Sequence, residues 1–492
     1  MPNIKSLFKD TAIYGLSSII GRFLNYLLVP LYTHCISAEC GGYGVVTNVY
    51  AYTALILVIL TFGMETTYFR FANKEEENPD TVFSTAFAMV TFLSVLFVGL
   101  MTLFIDPVSQ WLGYPDHHEY ILMMGTVVAL DAIQAIPFSL LRYLKRPLKF
   151  AGLKLLFIAL NIGLNLFYFC WLRKTDVVYI FALNLVCTAI ITFFFIPEML
   201  RIRWRVDLRL LRRMFSYSWP ILVLGLVGIL NQSLDKMIYP KVAPDPVEGQ
   251  VQLGIYGACF KVAMIMGMIT QAFRYAYEPI VFGATREKGT DEERKQYYAK
   301  AMKYFIIFTL LAFLTVISFM DILQLIIGAG YRDGLRVVPI VMAAEIMMGI
   351  YFNLSFWYKL IDRTIYGAWF SLAGCIVMVC INLWGIPRYG YMACAWAGFC
   401  GYATCMLLSY FVGQRQNPFP YDLKSIGSYV LLTAALYVAL TQVPDAGVHS
   451  KGDLLTGHAL LIILIKAAHL LFFVAYLCWK DFPFWRLLRR RK

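Results

Sequence analysis

Charge is scarce in this chain. Only 15% of its 492 residues are Asp, Glu, Lys or Arg, while 60% are apolar, and that balance excludes a soluble globular protein of ordinary composition. The motifs of soluble catalysis are missing too. There is no glycine-rich phosphate loop ending in Lys-Ser/Thr, no HExxH pair and no Gly-x-Ser-x-Gly elbow, so ATP hydrolysis by a P-loop, zinc-protease chemistry and elbow-type serine hydrolysis are excluded. The 11 cysteines, among them Cys170, Cys187, Cys375, Cys380, Cys394, Cys400 and Cys405, lie mostly inside apolar runs without CxxC spacing. They read as packing residues, neither disulfides nor metal ligands. Long polar loops are also absent, the longest outer connection running over 235–253. No room remains for a catalytic domain, and neither cofactor nor metal is called for.

What the chain does have is apolar runs. About 20 residues of helix cross the roughly 30 Å of bilayer hydrocarbon, and backbone in lipid must pair its own polar groups, so such runs must be helices. About fourteen spans are predicted, at 11–34, 43–64, 82–105, 119–141, 150–172, 177–199, 215–234, 254–282, 303–320, 335–358, 365–386, 391–412, 424–443 and 458–479. The fold class is an all-α polytopic membrane protein. Trp111, Tyr114, Trp171, Trp204, Trp219, Trp384 and Trp479 fall near predicted span ends, as interfacial anchors do.

The net charge of +13 is distributed as a membrane protein's is, which argues against a nucleic-acid partner. Lys and Arg crowd alternate connections, led by Arg201, Arg203, Arg205, Arg209, Arg212 and Arg213, and the positive-inside rule then places both termini in the cytoplasm. Lys5 and Lys9 flank an uncleaved anchor. The basic tail from Arg486 to Lys492 faces lipid headgroups.

An internal repeat orders the spans. Tyr43 and Gly44 align with Tyr256 and Gly257, and without a gap Phe62, Gly63, Met64 and Glu65 then align with Tyr275, Ala276, Tyr277 and Glu278. An offset of an even number of spans gives the halves one orientation, so they are parallel repeats about an axis along the membrane normal. Three segments are expected: a six-helix lobe over 1–205, a second over 206–415, and two additional helices with a basic tail over 416–492.

Ionisable groups at membrane depth are costly and face a bundle interior or a wet cavity, so they form the functional shortlist. His117 and His118, in an outer loop, read as solvated and not metal-bound. Arg22 lies half a span into the first helix with Asn25 on the same face; a guanidinium there suits a phosphate or pyrophosphate, or else pairs with Glu65 or Asp131 to hold helices together. Lys261 either lines a cavity or snorkels outward, and Arg274 can pair with Glu278 one turn on. Glu278 precedes Pro279, where a kink or helix end is expected, and Glu65 is its counterpart; both read as gate elements or as structural ion pairs. Asp131, followed by Gln134 and Pro137, and Glu345 at the corresponding place in the second half, are candidates for coupling to H+ or Na+, or for neutralising buried cations. Lys466 and His469, outside the repeat, read as packing or interfacial groups, and Asn161 with Asn165 as interhelical glue.

Three stretches resemble the polysaccharide transporter family of lipid-linked oligosaccharide flippases, within the multidrug/oligosaccharidyl-lipid/polysaccharide exporter superfamily. They are Tyr14 to Tyr32 with Gly21, Arg22 and Pro30, then Tyr43-Gly44; Leu234-Asp235 with Gly254, Tyr256, Gly257, Lys261, Val262 and Ala263; and Asn382, Leu383, Ile386, Pro387, Gly390, Tyr391, Ala393, Ala395 and Trp396. The resemblance implies two six-helix bundles around a central cavity plus two helices, in the bacterial inner membrane. The implied cargo is an undecaprenyl-pyrophosphate-linked oligosaccharide, moved by a monomer to the outer leaflet through alternating access. Arg22, Lys261 and Arg274 would supply the positive cavity. Three readings compete with this one: a cation-coupled multidrug antiporter, which has twelve spans in this superfamily, a lipid II flippase, and a membrane polymerase or ligase, which would need a larger outer loop.

Overall fold

The structure is a computed structural model describing residues 28–39, 41–75, 77–200, 207–284, 291–361, 363–444, 446–448, 453 and 457–481, with backbone alone for 275–284 and 291. Helices account for the regular structure, and no strand occurs among the described residues. In chain order the main ones are α1 (Leu28–Cys35), α2 (Gly42–Thr61), α3 (Met64–Ala72), α4 (Pro79–Leu103), α5 (His118–Tyr143), α6 (Pro147–Leu166), α7 (Val178–Phe194), α8 (Leu208–Val242), α9 (Pro246–Ala263), α10 (Ile265–Ala284), α11 (Asp291–Ser318), α12 (Val338–Leu354), α13 (Ile365–Tyr389), α14 (Tyr391–Gln416), α15 (Leu423–Gln442) and α16 (Gly457–Lys480).

Their limits follow local chemistry. Asn78 accepts from the Asp80 amide and Pro79 opens α4, while the side chains of Asp207 and Asp422 cap α8 and α15. Span 2 breaks between α2 and α3, where Phe62 and Gly63 both adopt positive φ (50° and 67°). Phe62 tolerates this backbone because its amide caps Val58 and its ring stacks on Phe215 at 4.6 Å between centroids. Gly63 is fitted to its place, since a Cβ there would stand 3.0 Å from Ile221 Cγ2. Along α4 the two faces separate cleanly. Val82, Phe83, Ala86, Phe87 and Val90 are buried, whereas Phe92, Val95, Leu96, Leu100 and Leu103 are exposed, and an exposed apolar stripe of this kind belongs against acyl chains.

Among the described residues, 11 helical segments are long and apolar enough to cross a membrane, and the bent pair Pro246–Ala263 with Ile265–Arg274 makes 12. The shorter apolar α7 and the described end of the first run, α1, occupy the two remaining expected places. This is a multi-span membrane protein with the expected number of about fourteen spans.

By spatial contact the chain forms two compact units. One comprises Met1–Gly257 with Met378–Cys394, the other Ala258–Val377 with Ala395–Lys492. In the second, α11 packs against both α15 and α16, so the two additional helices belong to its core. Ion pairs hold them there. Lys466 Nζ meets Asp321 Oδ2 at 2.6 Å, and Lys303 Nζ meets Asp481 Oδ1 at 2.5 Å.

Candidate functional site

In the first unit, helix order brings three charged side chains of the apolar runs together. Glu65 sits in the first turn of α3, directly after the break; Asp131 lies midway along α5; Lys154 lies two turns into α6. Lys154 interacts electrostatically with both carboxylates, and Arg142 of α5 acts on Glu65 as well. No ion pair or hydrogen bond closes among these four residues. The Lys154 ammonium instead rests 4.0 Å from the centre of the Phe138 ring, and the Arg142 guanidinium 4.9 Å from that of Phe69. Glu65, Asp131 and Lys154 are each surrounded by protein and yet accessible, Glu65 even exposed beside the fully buried Met64. In this they differ from the exposed apolar stripe of α4, which carries no charge.

Several nearby neutral polar groups are, in contrast, hydrogen-bonded. Gln134 donates to the Thr188 carbonyl (3.0 Å) and Thr192 Oγ1 (2.7 Å), Asn184 to Tyr50 Oη (2.7 Å), and Asn165 to Asn161 Oδ1 (2.9 Å) while accepting from Tyr32 (2.9 Å). Asn165, braced by Asn161 of its own helix, thus ties α6 to α1.

At the other end of α2 the same unit is tightly knit. Asn48 donates to the Lys236 carbonyl at 2.7 Å and accepts from Tyr114 Oη at 2.9 Å, and Gln250 donates to Tyr114 Oη at 3.0 Å. Asp235 receives Lys236 Nζ at 3.1 Å and Tyr256 Oη at 2.7 Å. Helices α2 and α9 cross here through glycines: a Cβ on Gly44 would lie 1.9 Å from the Gln250 carbonyl oxygen, and one on Gly257 would lie 2.4 Å from Thr47 Oγ1. Gly44 and Gly257 are the pair matched by the sequence repeat.

The second unit carries the remaining shortlisted groups. Glu345 of α12 packs against α10, where a Cβ on Gly267 would stand 3.0 Å from its Oε2. Arg274, two turns along α10, holds its guanidinium 5.0 Å from the centre of the Phe352 ring. Lys261 is exposed in the last turn of α9, three residues before the 40° bend at Met264. The helical backbone of α10 runs through Pro279 to Ala284. Arg22, Asn25 and the Glu278 side chain lie outside the described residues, as does the expected Arg274–Glu278 pairing.

Residues 40–334 match the sequence pattern of the family described as polysaccharide biosynthesis protein. The chain belongs to that family. No curated protein matches this polysaccharide biosynthesis family member in sequence. Its fold is similar to that of the lipid II flippase MurJ in an inward closed conformation, with a TM-score of 0.68 at 14% identity over 94% of this chain and 98% of the other. It is also similar to an inward-facing multidrug resistance MATE family transporter of the MOP superfamily (TM-score 0.64, 14% identity, 80% of this chain and 94% of the other). A MOP superfamily transporter from Pyrococcus furiosus gives 0.54 at 14% identity, over 83% and 95%. The family member therefore has the MOP-type fold.

Sequence reading passed over Lys154, although an isolated cation inside the run at 150–172 carries the same signal as Arg22 in the first run. The Asn48–Tyr114 contact carried no such signal, because the two residues come from segments 66 positions apart.

Proposed function

We propose that this protein flips an undecaprenyl-pyrophosphate-linked oligosaccharide from the cytoplasmic to the outer leaflet of the bacterial inner membrane, by alternating access and as a monomer. The observation that carries the reading is family membership in polysaccharide biosynthesis together with charged groups set inside a wholly membrane-embedded helical fold. The cargo is moved without covalent change. Arg22, Asn25, Lys261 and Arg274 contact its anionic headgroup, and Glu65, Asp131, Glu278 and Glu345 gate the path or bind a coupling H+ or Na+. The repeat lobes over 1–205 and 206–415 are the moving parts, and 416–492 supplies a lipid-facing pair of helices and a cytoplasmic tail. Both termini face the cytoplasm, which puts the Asn48–Tyr114–Gln250 network on the outer side.

Coverage favours a flippase over a drug antiporter. The lipid II flippase overlays 94% of this chain, against 80% and 83% for the MATE and Pyrococcus transporters. Deletion should leave lipid-linked units on the cytoplasmic face, and Arg22→Ala should fail to restore surface glycan at normal expression. Intact surface glycan in the deletion strain would refute the proposal, and gradient-dependent drug efflux on expression would favour the antiporter.

A further inference from the structure

The geometry points to Lys154 as a headgroup-binding cation of the first unit, resting on the Phe138 ring within electrostatic reach of Asp131 and Glu65, so that an arriving phosphate takes its ammonium while a carboxylate takes up a proton. The assignment rests on the reading of a phosphate-bearing cargo. Its physical basis is the difference between Lys154 and other enclosed lysines. Lys236, Lys303 and Lys466 each close an ion pair, with Asp235, Asp481 and Asp321. Lys154 closes none, covers one face with the Phe138 ring at 4.0 Å, and remains accessible. An ammonium has three donors, so those of Lys154 remain available to an acceptor that reaches it.

Charge balance supplies the second half of the inference. Asp131 and Glu65 are the carboxylates that face Lys154, and Arg142 stands beside Glu65, so the four groups sum to zero when ionised. Helix α7, packed along α6, brings no Asp, Glu, Lys, Arg or His; α1 brings only the exposed His34, and Lys149 of α6 itself is engaged with Glu198. A phosphate entering this neutral set adds negative charge in a medium where uncompensated charge costs several kcal/mol per ion. Protonation of Asp131 or Glu65 offsets one unit of that charge and frees Lys154 from competition. Nothing is bound covalently, and the proton comes from water.

The test measures binding of geranyl pyrophosphate to the full chain in phosphatidylcholine nanodiscs by calorimetry, at about pH 6 and about pH 8. Wild type should bind more tightly at the lower pH, with net proton uptake. Lys154→Met should weaken binding about ten-fold and flatten the pH dependence, Lys154→Arg should retain both, and Asp131→Asn should bind more tightly than wild type. Unchanged unfolding midpoints establish that the variants are folded; should Lys154→Met fail, Lys154→Gln carries the same comparison. Wild-type-like binding by the charge-free variant, or weakened binding by Asp131→Asn, overturns the role of Lys154. Absence of probe binding by wild type overturns the phosphate-bearing cargo along with it.

Discussion

Gly44 lies beneath Gly254 at backbone contact: a methyl group on Gly44 would stand 3.1 Å from the Gly254 amide nitrogen as well as colliding with the Gln250 carbonyl. Close crossings of this kind gain dispersion and exclude lipid, and small residues are what permit them. Gly44→Ala must therefore push α2 and α9 apart, at about 1–3 kcal/mol for overpacking. Gly228→Ala is the control, because a Cβ there meets nothing within 4 Å. A lowered unfolding midpoint in detergent is expected for the first variant and not for the second; equal midpoints would mean the crossing carries no energy.

Asn48 joins three chain segments at that same end, and its amide is buried with both functions used. Replacing it with Ala leaves Tyr114 Oη without its acceptor and the Lys236 carbonyl without this donor, a loss of about 1–3 kcal/mol for buried groups. Faster hydrogen exchange is expected in residues 236–252 of Asn48→Ala. Thr53→Ala, which removes an exposed hydroxyl bonded within its own helix, should leave that segment unchanged. Exchange that does not move in Asn48→Ala would show that the network does not hold the segment.

The spans were legible because lipid imposes length and hydropathy on them, and the Gly44–Gly257 equivalence because small residues are conspicuous among large apolar ones. Bends were less so. Met264 donates to the Phe260 carbonyl at 3.1 Å and accepts from the Met268 amide at 3.0 Å, so the 40° turn there keeps its hydrogen bonds and leaves no proline as a mark. The break at Phe62 was hidden in another way, since a ring stack against Phe215 from a distant helix stabilises a backbone that Phe seldom adopts. Glu65 and Asp131 stood out as charges in apolar runs, but that both address Lys154 is a fact of tertiary structure. Lys466 read as a packing residue; its carboxylate partner lies 145 positions away, in the short helix Met320–Leu323.

That partner makes Lys466 a sensitive position. Both side chains of the Lys466–Asp321 pair are about nine-tenths buried, and deleting one charge strands the other. Lys466→Met alone is expected to cost about 3–5 kcal/mol, while the double variant Lys466→Met with Asp321→Leu, which removes both charges, should recover most of it. Thermal unfolding of the four proteins of the cycle measures the coupling. Single-variant losses that simply add in the double variant would show that the two side chains are energetically independent.

The clamp at the opposite end of α16 should respond to acid. Asp481, one residue beyond that helix, accepts from Lys303 Nζ and from Tyr429 Oη, both at 2.5 Å, and so ties α16 to α11 and α15. Burial alone would raise its pKa, but hydrogen bonds from Lys303 and Tyr429 and the charges of Lys303 and Lys480 hold it below the ordinary carboxylate value. A carboxyl depressed in the folded state adds stability above its unfolded pKa of about 3.9 and loses it as the pH falls through the lower folded value. The clamp is therefore constant near neutrality and fails only below about pH 4. Hydrogen exchange of α15 and α16 should remain slow in wild type down to that point and then accelerate. Asp481→Asn should exchange faster throughout and show a shallower acid response, because the group that titrates is gone. An identical acid response in both proteins would place the acid-sensitive contact elsewhere.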